Sequence, residues 1–293
     1  MDDKIALLGT GLMGGPMGQR LLDAGFQLTV WNRSAHKTEL LRQSGARVAE
    51  TPAQAVAGAD FVLTMLANGP AVNEVLLAGD VARAMPGSAL FIDMSSIPPD
   101  TAREHAALLA QRGIAALDAP VSGGVVGAAA GTLAIMAGGD PAAFARALPV
   151  FAVLGRATRV GPAGAGALAK LANQMIVGIT IGAVAEALLL AEAGGADPSA
   201  VRDAIRGGFA ESRILELHGA RMLARNFEPG AHSATQLKDM ASALVAAEAA
   251  GLQLPLTRSV HDLYSRFVQS GGASLDHSAL LLALEQLNLR STR

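Results

Sequence analysis

Cysteine is absent from this chain of 293 residues, which excludes disulfide bridges, thiolate metal sites and a cysteine nucleophile. The six histidines are spread along the sequence, and no two lie four residues apart as they would in a helical zinc site. Charged residues make up only 16% of the chain, with 23 basic against 25 acidic side chains. No overall field favours nucleic acid or an anionic membrane. We therefore expect no nucleic-acid partner and no metal.

Long uninterrupted hydrophobic segments are also scarce, although 51% of the residues are hydrophobic. A membrane-spanning helix needs about 20 mostly apolar residues. The longest uncharged stretch, from Ala119 to Gly139, contains Pro120 and six glycines, and the apolar run after Lys170 ends at Glu186. The first residues lack the basic and apolar regions of a signal peptide. We expect buried cores, a buried subunit interface, no membrane partner and a cytoplasmic location.

The first half of the sequence alternates predicted strands and helices. An apolar strand at Lys4–Leu8 leads into a glycine-rich turn, a periodic helix over Met13–Ala24 and a β-rich segment at Gln27–Trp31. Further elements follow, namely a helix over 35–43 that Ser34 can cap, strands at 60–66, 89–94 and 114–118, and a helix over about 100–112. Such alternation predicts a mostly parallel sheet covered on both faces.

The pattern changes near residues 160–165, and no strand is predicted beyond them. Between Gly164 and Gly194 there is no proline and apolar residues recur on nearly every side, which predicts one helix of about 28–30 residues, buried on all sides. Shorter helices are predicted at about 198–207, 211–224, 235–250, 256–270 and 276–288. Because a domain averages about 150 residues, we predict two domains, 1–162 and 163–293.

Gly9, Gly11 and Gly14 form the pattern G-x-G-x-x-G between the first strand and the first helix. In such a turn the first glycine allows the tight bend, the second lets a pyrophosphate approach the backbone, and the third allows close packing of helix and strand. The N-terminus of the helix then offers free N–H groups to the phosphates. The sequence therefore predicts an α/β Rossmann-type dinucleotide-binding domain, followed by an all-α domain and joined to it by the long helix.

The end of the second strand decides which dinucleotide is favoured. An acidic residue at this place accepts a hydrogen bond from the ribose of NAD, but this chain has Asn32, followed by Arg33 and Ser34. A neutral amide beside a guanidinium suits a 2′-phosphate, so we favour NADP(H). NAD(H) stays open, since Arg33 could equally be a solvated charge that stacks on adenine with either cofactor.

Two segments carry residues suited to carbonyl chemistry. Ser122, Gly123 and Gly124 follow a strand end and expose consecutive N–H groups that can hold a carboxylate or an oxyanion; a plain structural turn is the alternative. Lys170 and Asn173 share one face of the long helix at i,i+3 spacing. A lysine there can exchange a proton with a carbonyl oxygen, unless its ammonium merely extends out of an apolar helix into water.

Six motifs, in order along the whole chain, together resemble the β-hydroxyacid dehydrogenases, the family that includes 3-hydroxyisobutyrate dehydrogenase. They are GTGLMG at 9–14, DMSSIPP at 93–99, DAPVSGG at 118–124, GTLAIMAGGD at 131–140, GALAKLANQ at 166–174 and LKDM at 237–240. The resemblance implies an NAD(P)-dependent oxidoreductase with a Rossmann domain and a helical domain. It also implies a small hydroxy or oxo acid as substrate, and assembly into a homodimer or homotetramer.

The resemblance assigns roles to the two segments singled out above. It implies that Lys170 is the catalytic acid or base and that Asn173 orients the substrate. Ser122, Gly123 and Gly124 are similar to the residues that hold the substrate carboxylate and the reacting oxygen in the family.

On the cofactor side, Ser96 is similar to a residue near the nicotinamide. Lys238 by itself is typical of an ordinary surface pair with Asp239, but in the family a lysine at this place reaches the cofactor. The other implied cofactor contacts are Gly9, Thr10, Gly11, Leu12, Met13, Gly14, Asn32, Arg33, Ser34, Met65 and Leu66. One departure is Ala67, where the family commonly has proline, which puts the rigidity of that loop in question.

Within the family, further segments resemble the members that act on tartronate semialdehyde, which implies reduction of this 2-hydroxy-3-oxo acid to glycerate. They are DMSSIPP at 93–99, KLANQMIV at 170–177, AIRGG at 204–208, RNFEPG at 225–230, LQLPLT at 252–257 and DHSAL at 276–280. Residues 209–213 depart from the small residues expected there. Oxidation of 3-hydroxyisobutyrate, L-serine or threonate stays open. An imine reductase or a non-catalytic NADP-binding protein is disfavoured, because neither needs a protonating lysine together with a carboxylate-binding loop.

Overall fold

The computed structural model describes residues 3–291, with side chains up to residue 288. The chain divides into two compact units, Met1–Lys170 and Leu171–Arg293. This division falls later in the chain than the predicted boundary between residues 162 and 163, which stays a prediction.

Nine strands within the described residues form one sheet in the first unit. They are β1 Lys4–Leu8, β2 Gln27–Trp31, β3 Arg47–Val48, β4 Phe61–Thr64, β5 Leu90–Asp93, β6 Ala115–Asp118, β7 Val121–Ser122, β8 Leu133–Gly139 and β9 Gly155–Gly161. Their order is β3-β2-β1-β4-β5-β6-β8-β7, and β9 pairs with β8. β8 runs antiparallel to β6 and β7, and all other neighbours are parallel.

Helices connect these strands and make up most of the second unit. In the first unit they are α1 Gly14–Asp23, α2 Glu39–Gln43, α3 Pro52–Val56, α4 Gly69–Asn73, α5 Val81–Ala84, α6 Pro99–Ala110, α7 Gly124–Ala130 and α8 Pro141–Leu154. The long helix α9 Ala165–Ala193 follows, and then α10 Pro198–Ile205, α11 Arg213–Leu223, α12 Ser233–Ala249, α13 Pro255–Gln269 and α14 Leu280–Ser291. The α/β part followed by helices confirms the predicted fold class.

Helix starts follow capping chemistry. The Asp140 side chain accepts hydrogen bonds from Ala142 N and Ala143 N, and Pro141 is the first residue of α8; this combination of a polar cap and a following proline is favourable because neither residue removes an intrahelical bond. The predicted helix over 35–43 is instead a 3-10 turn followed by α2, and the Ser34 side chain makes no capping bond.

Alternation along the strands builds two cores in the first unit. In β1, Ile5 and Leu7 belong to one buried cluster, while Ala6 and Leu8 belong to another. Since successive strand residues point to opposite faces, both faces of the sheet are covered, as a largely parallel sheet requires. The second unit has its own buried cluster, centred on residues such as Ile181, Tyr264 and Leu280.

Helix α9 has 29 residues, as the absence of proline and the apolar composition predict. The expectation that it is buried on all sides is wrong within this chain, because Leu168, Ile176 and Leu190 are exposed. Among the described residues it is also the one helix long and apolar enough to cross a membrane, and about a third of its most apolar window is buried. Length and composition alone do not separate such a span from the core helix of a soluble protein.

Candidate active site

The glycine turn between β1 and α1 has the shape of a pyrophosphate cradle. Gly9 has a φ of +104°, which residues with a Cβ rarely adopt. A Cβ on Gly14 would overlap the Gly9 carbonyl oxygen, so only glycine lets α1 start so close to the turn. A Cβ on Gly11 would meet nothing within 4 Å and would project into open space. The turn therefore fits the phosphates of a dinucleotide, which need this approach to the backbone.

Asn32 shapes the turn from the end of β2. Its Oδ1 accepts from Thr10 N at 3.0 Å and its Nδ2 donates to Ser34 O at 3.0 Å. The neighbouring Arg33 is exposed, and Leu12, within the glycine turn, is also exposed, at 66%. Asn32 therefore has a structural role in the turn, and the guanidinium of Arg33 is accessible to a ligand.

The loops after β4 and β5 are tied to each other. Leu66 N donates to Ser95 Oγ at 2.9 Å, and Ser95 N donates to Asp93 Oδ1 at 2.9 Å. Met65, Leu66 and Ser96 are half-buried on these loops. The bonds fix Leu66 beside Ser95, the residue before Ser96, so the predicted contacts Leu66 and Ser96 follow neighbouring strand ends. Open α/β sheets bind ligands at such ends.

Asp93 is a buried carboxyl group that sequence reasoning missed. Its Oδ1 accepts from Thr64 Oγ1 at 2.8 Å, but its Oδ2 has no hydrogen-bond partner among the described residues. His105 and Asp118 line the same small cavity. Burial raises the pKa of Asp93 from 3.8 to about 6, opposed in part by the bonds from Ser95 and Thr64.

We expect Asp93→Asn to stabilise the protein at pH 8. The folded protein binds the Asp93 proton more tightly than the unfolded chain, so stability falls as the pH rises from 3.8 to about 6 and stays low above it. The asparagine keeps the Oδ1 acceptor and removes the buried charge. At pH 8 this should raise the free energy of unfolding by on the order of 2–3 kcal/mol. Thermal unfolding from pH 4 to pH 8 would show a difference from wild type that grows with pH; a variant that is less stable at pH 8 would contradict the assignment.

Ser122 is the last residue of β7, and Gly123 and Gly124 form the turn from this strand into α7. Val121 and Ser122 pair with β8, and the next two residues are exposed, with φ values of +139° for Gly123 and +62° for Gly124. These backbone conformations favour glycine. The turn is therefore accessible to a ligand and depends on both glycines.

Lys170 is directed to this turn by a hydrogen bond. Its Nζ donates to the carbonyl oxygen of Val121 at 2.8 Å, and its side chain is half-buried. The ammonium is thus held at the residue that precedes Ser122 and does not extend freely into water. Asn173, one helical turn later, donates from Nδ2 to Gln174 Oε1 at 2.9 Å.

In the second unit, Lys238 belongs to a polar cluster around Asp239. Lys238 Nζ lies 3.2 Å from Asp239 Oδ1, and Asp239 is only 2% exposed. Gln174 Nε2 donates to Asp239 Oδ2 at 2.8 Å, and Gln236 Nε2 donates to the Gln174 carbonyl at 2.9 Å. From the sequence, Gln236 carried too weak a signal to be assigned a role, and Gln174 was missed. The one available signal for Gln174 was that it stands four residues after Lys170 on α9.

His218 and His277, which are 59 residues apart, are in contact. Their Nε2 atoms are 3.2 Å apart, and Asp276 lies beside them. Asp276 accepts hydrogen bonds from neighbouring groups, namely Gly230 N, Ala231 N, Ser278 N and Ser278 Oγ. Arg221 Nη1 is also 3.3 Å from its Oδ2.

This set of residue types could bind a metal ion, but the carboxylate of Asp276 is already saturated by donors and by a cation. Burial alone would raise the pKa of Asp276, yet the imidazoles and the hydrogen bonds outweigh burial and hold the pKa well below its usual range. The two imidazoles therefore fit a hydrogen-bonded pair better than a metal site. The expectation of no metal stays a prediction.

Comparison with known proteins shows the family of the chain. Residues 4–164 match the family described as the NAD binding domain of 6-phosphogluconate dehydrogenase, and residues 164–284 match the family described as NAD-binding of NADP-dependent 3-hydroxyisobutyrate dehydrogenase. Fold and matches together define an NAD(P)-dependent oxidoreductase of small hydroxy or oxo acids.

Individual relatives cover nearly the whole chain. The 2-hydroxy-3-oxopropionate reductase of Escherichia coli (strain K12) is 45% identical over 96% of this chain and 97% of its own length. An NAD-dependent L-serine dehydrogenase of Pseudomonas aeruginosa is 34% identical over 94% of this chain and 96% of its own. The structure of Mycobacterium tuberculosis 3-hydroxyisobutyrate dehydrogenase with L-serine is 36% identical, with a TM-score of 0.89 over 97% of this chain and 99% of that one. This chain belongs to the 3-hydroxyisobutyrate dehydrogenase-like family of β-hydroxyacid dehydrogenases.

Proposed function

We propose that the protein reduces tartronate semialdehyde to glycerate with NADPH. The observation that carries the proposal is the hydrogen bond from Lys170 Nζ to the Val121 carbonyl, which holds a proton donor beside the turn at Ser122. The similarity to the Escherichia coli 2-hydroxy-3-oxopropionate reductase supports the choice of substrate, because that name describes the same 2-hydroxy-3-oxo acid.

The proposed site residues of the first unit have separate roles in this chemistry. The nicotinamide cofactor, when bound at the turn of Gly9, Gly11 and Gly14, supplies the hydride for the aldehyde carbon. Lys170 gives its proton to the aldehyde oxygen, so the carbonyl becomes a hydroxyl group and the lysine is left neutral until it regains a proton from water. The backbone at Ser122–Gly124 binds the carboxylate and keeps the aldehyde oriented.

In the second unit, we propose that Asn173 orients the substrate and that Lys238 contacts the cofactor. Asp239, buried beside the Lys238 ammonium at 3.2 Å, fixes the side chain of that lysine. These two roles rest on the family resemblance. Lys238→Ala should raise the KM of the cofactor; an unchanged KM would remove Lys238 from the site.

Initial rates with a panel of acids test the substrate. Tartronate semialdehyde with NADPH is expected to give a higher kcat/KM than oxidation of 3-hydroxyisobutyrate, L-serine or threonate, each measured with NADP⁺ and NAD⁺. A higher kcat/KM for one of these acids would transfer the assignment to it. Tight NADPH binding without turnover of any acid would mean a non-catalytic protein.

L-serine is the second candidate substrate. The similar Mycobacterium tuberculosis structure holds L-serine, and the Pseudomonas aeruginosa relative is named for its dehydrogenation. Phe209, in the segment that departs from the resemblance, is fully exposed in this chain. The substrate panel decides between the two acids.

NADP(H) is the cofactor we propose, and Asn32→Asp tests it. The aspartate still accepts from Thr10 N, but it loses the hydrogen bond that the Asn32 amide donates to Ser34 O. Its carboxylate accepts from a ribose hydroxyl and repels a 2′-phosphate. We expect the ratio of kcat/KM for NADPH over NADH to fall by about 10- to 100-fold, as for one hydrogen bond to a charged group.

Arg33→Ala is the companion variant. It should weaken NADPH binding and leave NADH binding unchanged if the guanidinium pairs with the 2′-phosphate. Equal weakening of both cofactors would instead show that Arg33 stacks on adenine, and the proposed preference would fail.

A homodimer or homotetramer is also proposed. Leu168, Ile176 and Leu190 leave apolar surface of α9 exposed in the single chain, and such surface marks interaction sites when it is extensive. Sedimentation analysis would contradict the proposal if it showed a monomer at micromolar concentration. The cytoplasmic location stays a prediction.

A further inference from the structure

We propose that Asp118 is a positioning residue, which fixes the start of α9 and thereby holds the Lys170 ammonium in place for proton transfer. The proposal rests on the proposed role of Lys170. Asp118 acts through the backbone of the first turn of α9, and its removal should reduce catalysis while the glycine turn that binds the cofactor stays intact.

The Asp118 carboxylate joins the end of β6 to the start of α9. Its Oδ1 accepts from Gly164 N at 2.8 Å and its Oδ2 accepts from Ala167 N at 2.7 Å. Asp118 is only 6% exposed. The first N–H groups of a helix have no backbone acceptor within it, so this side chain satisfies two of them far from water. Each oxygen therefore has its own donor.

Two glycines allow the helix start to pack directly on the strand ends. A Cβ on Gly138, in β8, would lie 2.5 Å from Asp118 Oδ1 and 2.7 Å from Gly166 N. A Cβ on Gly166 would overlap the carbonyl oxygens of Met136 and Asp118. The first turn of α9 therefore rests on backbone atoms, with no flexible side chain between, and has little freedom to shift.

The same short stretch of helix carries Lys170. Lys170 follows Ala167 by one helical turn, and Val121, which accepts from its Nζ at 2.8 Å, follows Asp118 closely in the chain. Residues 118–121, which connect β6 to β7, are thus joined to the start of α9 twice, once by the Asp118 carboxylate and once by the Lys170 ammonium. A shift of the helix start would displace the ammonium from the turn at Ser122.

Hydrogen exchange of the wild-type protein is the first test and needs no variant. The amides of Gly164 and Ala167 should exchange slowly, because both are buried donors to Asp118. Exchange as fast as that of exposed loop amides would overturn the proposal.

Asp118→Asn is the second test. Asparagine offers one carbonyl oxygen, so its NH₂ group would face one of the two N–H donors. We expect kcat to fall by about 10²-fold, as for a displacement of roughly 1 Å in a reacting group, with unchanged KM for the cofactor, faster exchange at residues 164–167 and a larger solvent isotope effect on kcat. An unchanged kcat and isotope effect, with only a lower melting temperature, would overturn the proposal.

Asp140→Ala is the control for a lost cap, because Asp140 also follows a strand and its Oδ1 caps α8 by accepting from two N–H groups, at 2.8 and 3.2 Å, so alanine removes both bonds. It should leave kcat unchanged; an equal loss there would show that a lost cap alone explains Asp118→Asn. Lys170→Ala separates the two proposals. If it keeps turnover, the role of Lys170 fails; if it loses turnover while Asp118→Asn keeps it, only the role of Asp118 fails.

Discussion

Lys170→Ala is expected to lower kcat by about 10²- to 10⁴-fold, the usual contribution of a general acid, while the dissociation constant of NADPH stays unchanged. The lysine donates to the Val121 carbonyl at 2.8 Å, beside the proposed carboxylate-binding turn and not within the glycine turn of residues 9–14. Its loss therefore removes the proton for the aldehyde oxygen and leaves the proposed pyrophosphate contacts in place. Steady-state kinetics and fluorescence titration with NADPH measure the two quantities.

Two further variants sharpen this result. Lys4→Ala removes an exposed lysine at the start of β1 and should have no effect on kcat. Lys170→Arg keeps a cation that can donate to Val121 but that does not release its proton near neutral pH. The kcat of this variant should therefore be as low as that of Lys170→Ala. Wild-type turnover in Lys170→Arg would show that charge alone is needed, and wild-type turnover in Lys170→Ala would remove the residue from the mechanism.

Local sequence signals were sufficient for the parts of the fold that a short segment determines. The β1 strand, the turn at Gly9 and helix α1 follow one another within residues 4–23, and each has its own periodicity or glycine requirement. The long helix α9 was predictable for the same reason. Strands β8 and β9 were missed, because glycine-rich or arginine-containing segments, such as Gly155–Gly161, give no clear alternation.

Contacts set by the sheet order could not be read from the sequence. Asp93 and Asp118 are direct neighbours across β5 and β6, so the charge of Asp118 adds to the effect of burial in raising the pKa of Asp93. Their adjacency appears only once the strands are paired. His218 and His277 meet in the same way through the packing of separate helical segments. The exposure of Ile176 on α9 was missed because an apolar composition does not show whether a helix face is covered by the same chain.

The glycine turn gives the second large effect. Gly14→Ala would place a Cβ in overlap with the carbonyl oxygen of Gly9 and 2.9 Å from its carbonyl carbon. Because these are backbone atoms, α1 must move away from the turn. Overpacking of this kind costs about 1–3 kcal/mol or more, and the N–H groups at the helix start move with the helix. We expect both a lower melting temperature and loss of NADPH binding, measured by thermal unfolding and calorimetry.

Gly11→Ala and Gly15→Ala separate the effects on fold and cofactor. A Cβ on Gly11 meets no protein atom within 4 Å, so the melting temperature should be unchanged, but the methyl group would occupy the space through which a pyrophosphate approaches. We expect a loss of affinity of about 10- to 100-fold. A Cβ on Gly15 meets only Thr10 O, at 3.7 Å, and should change neither quantity. If Gly11→Ala bound NADPH as tightly as Gly15→Ala does, the phosphates would not lie at this turn, and the assignment of residues 9–14 would be wrong even though the fold is right.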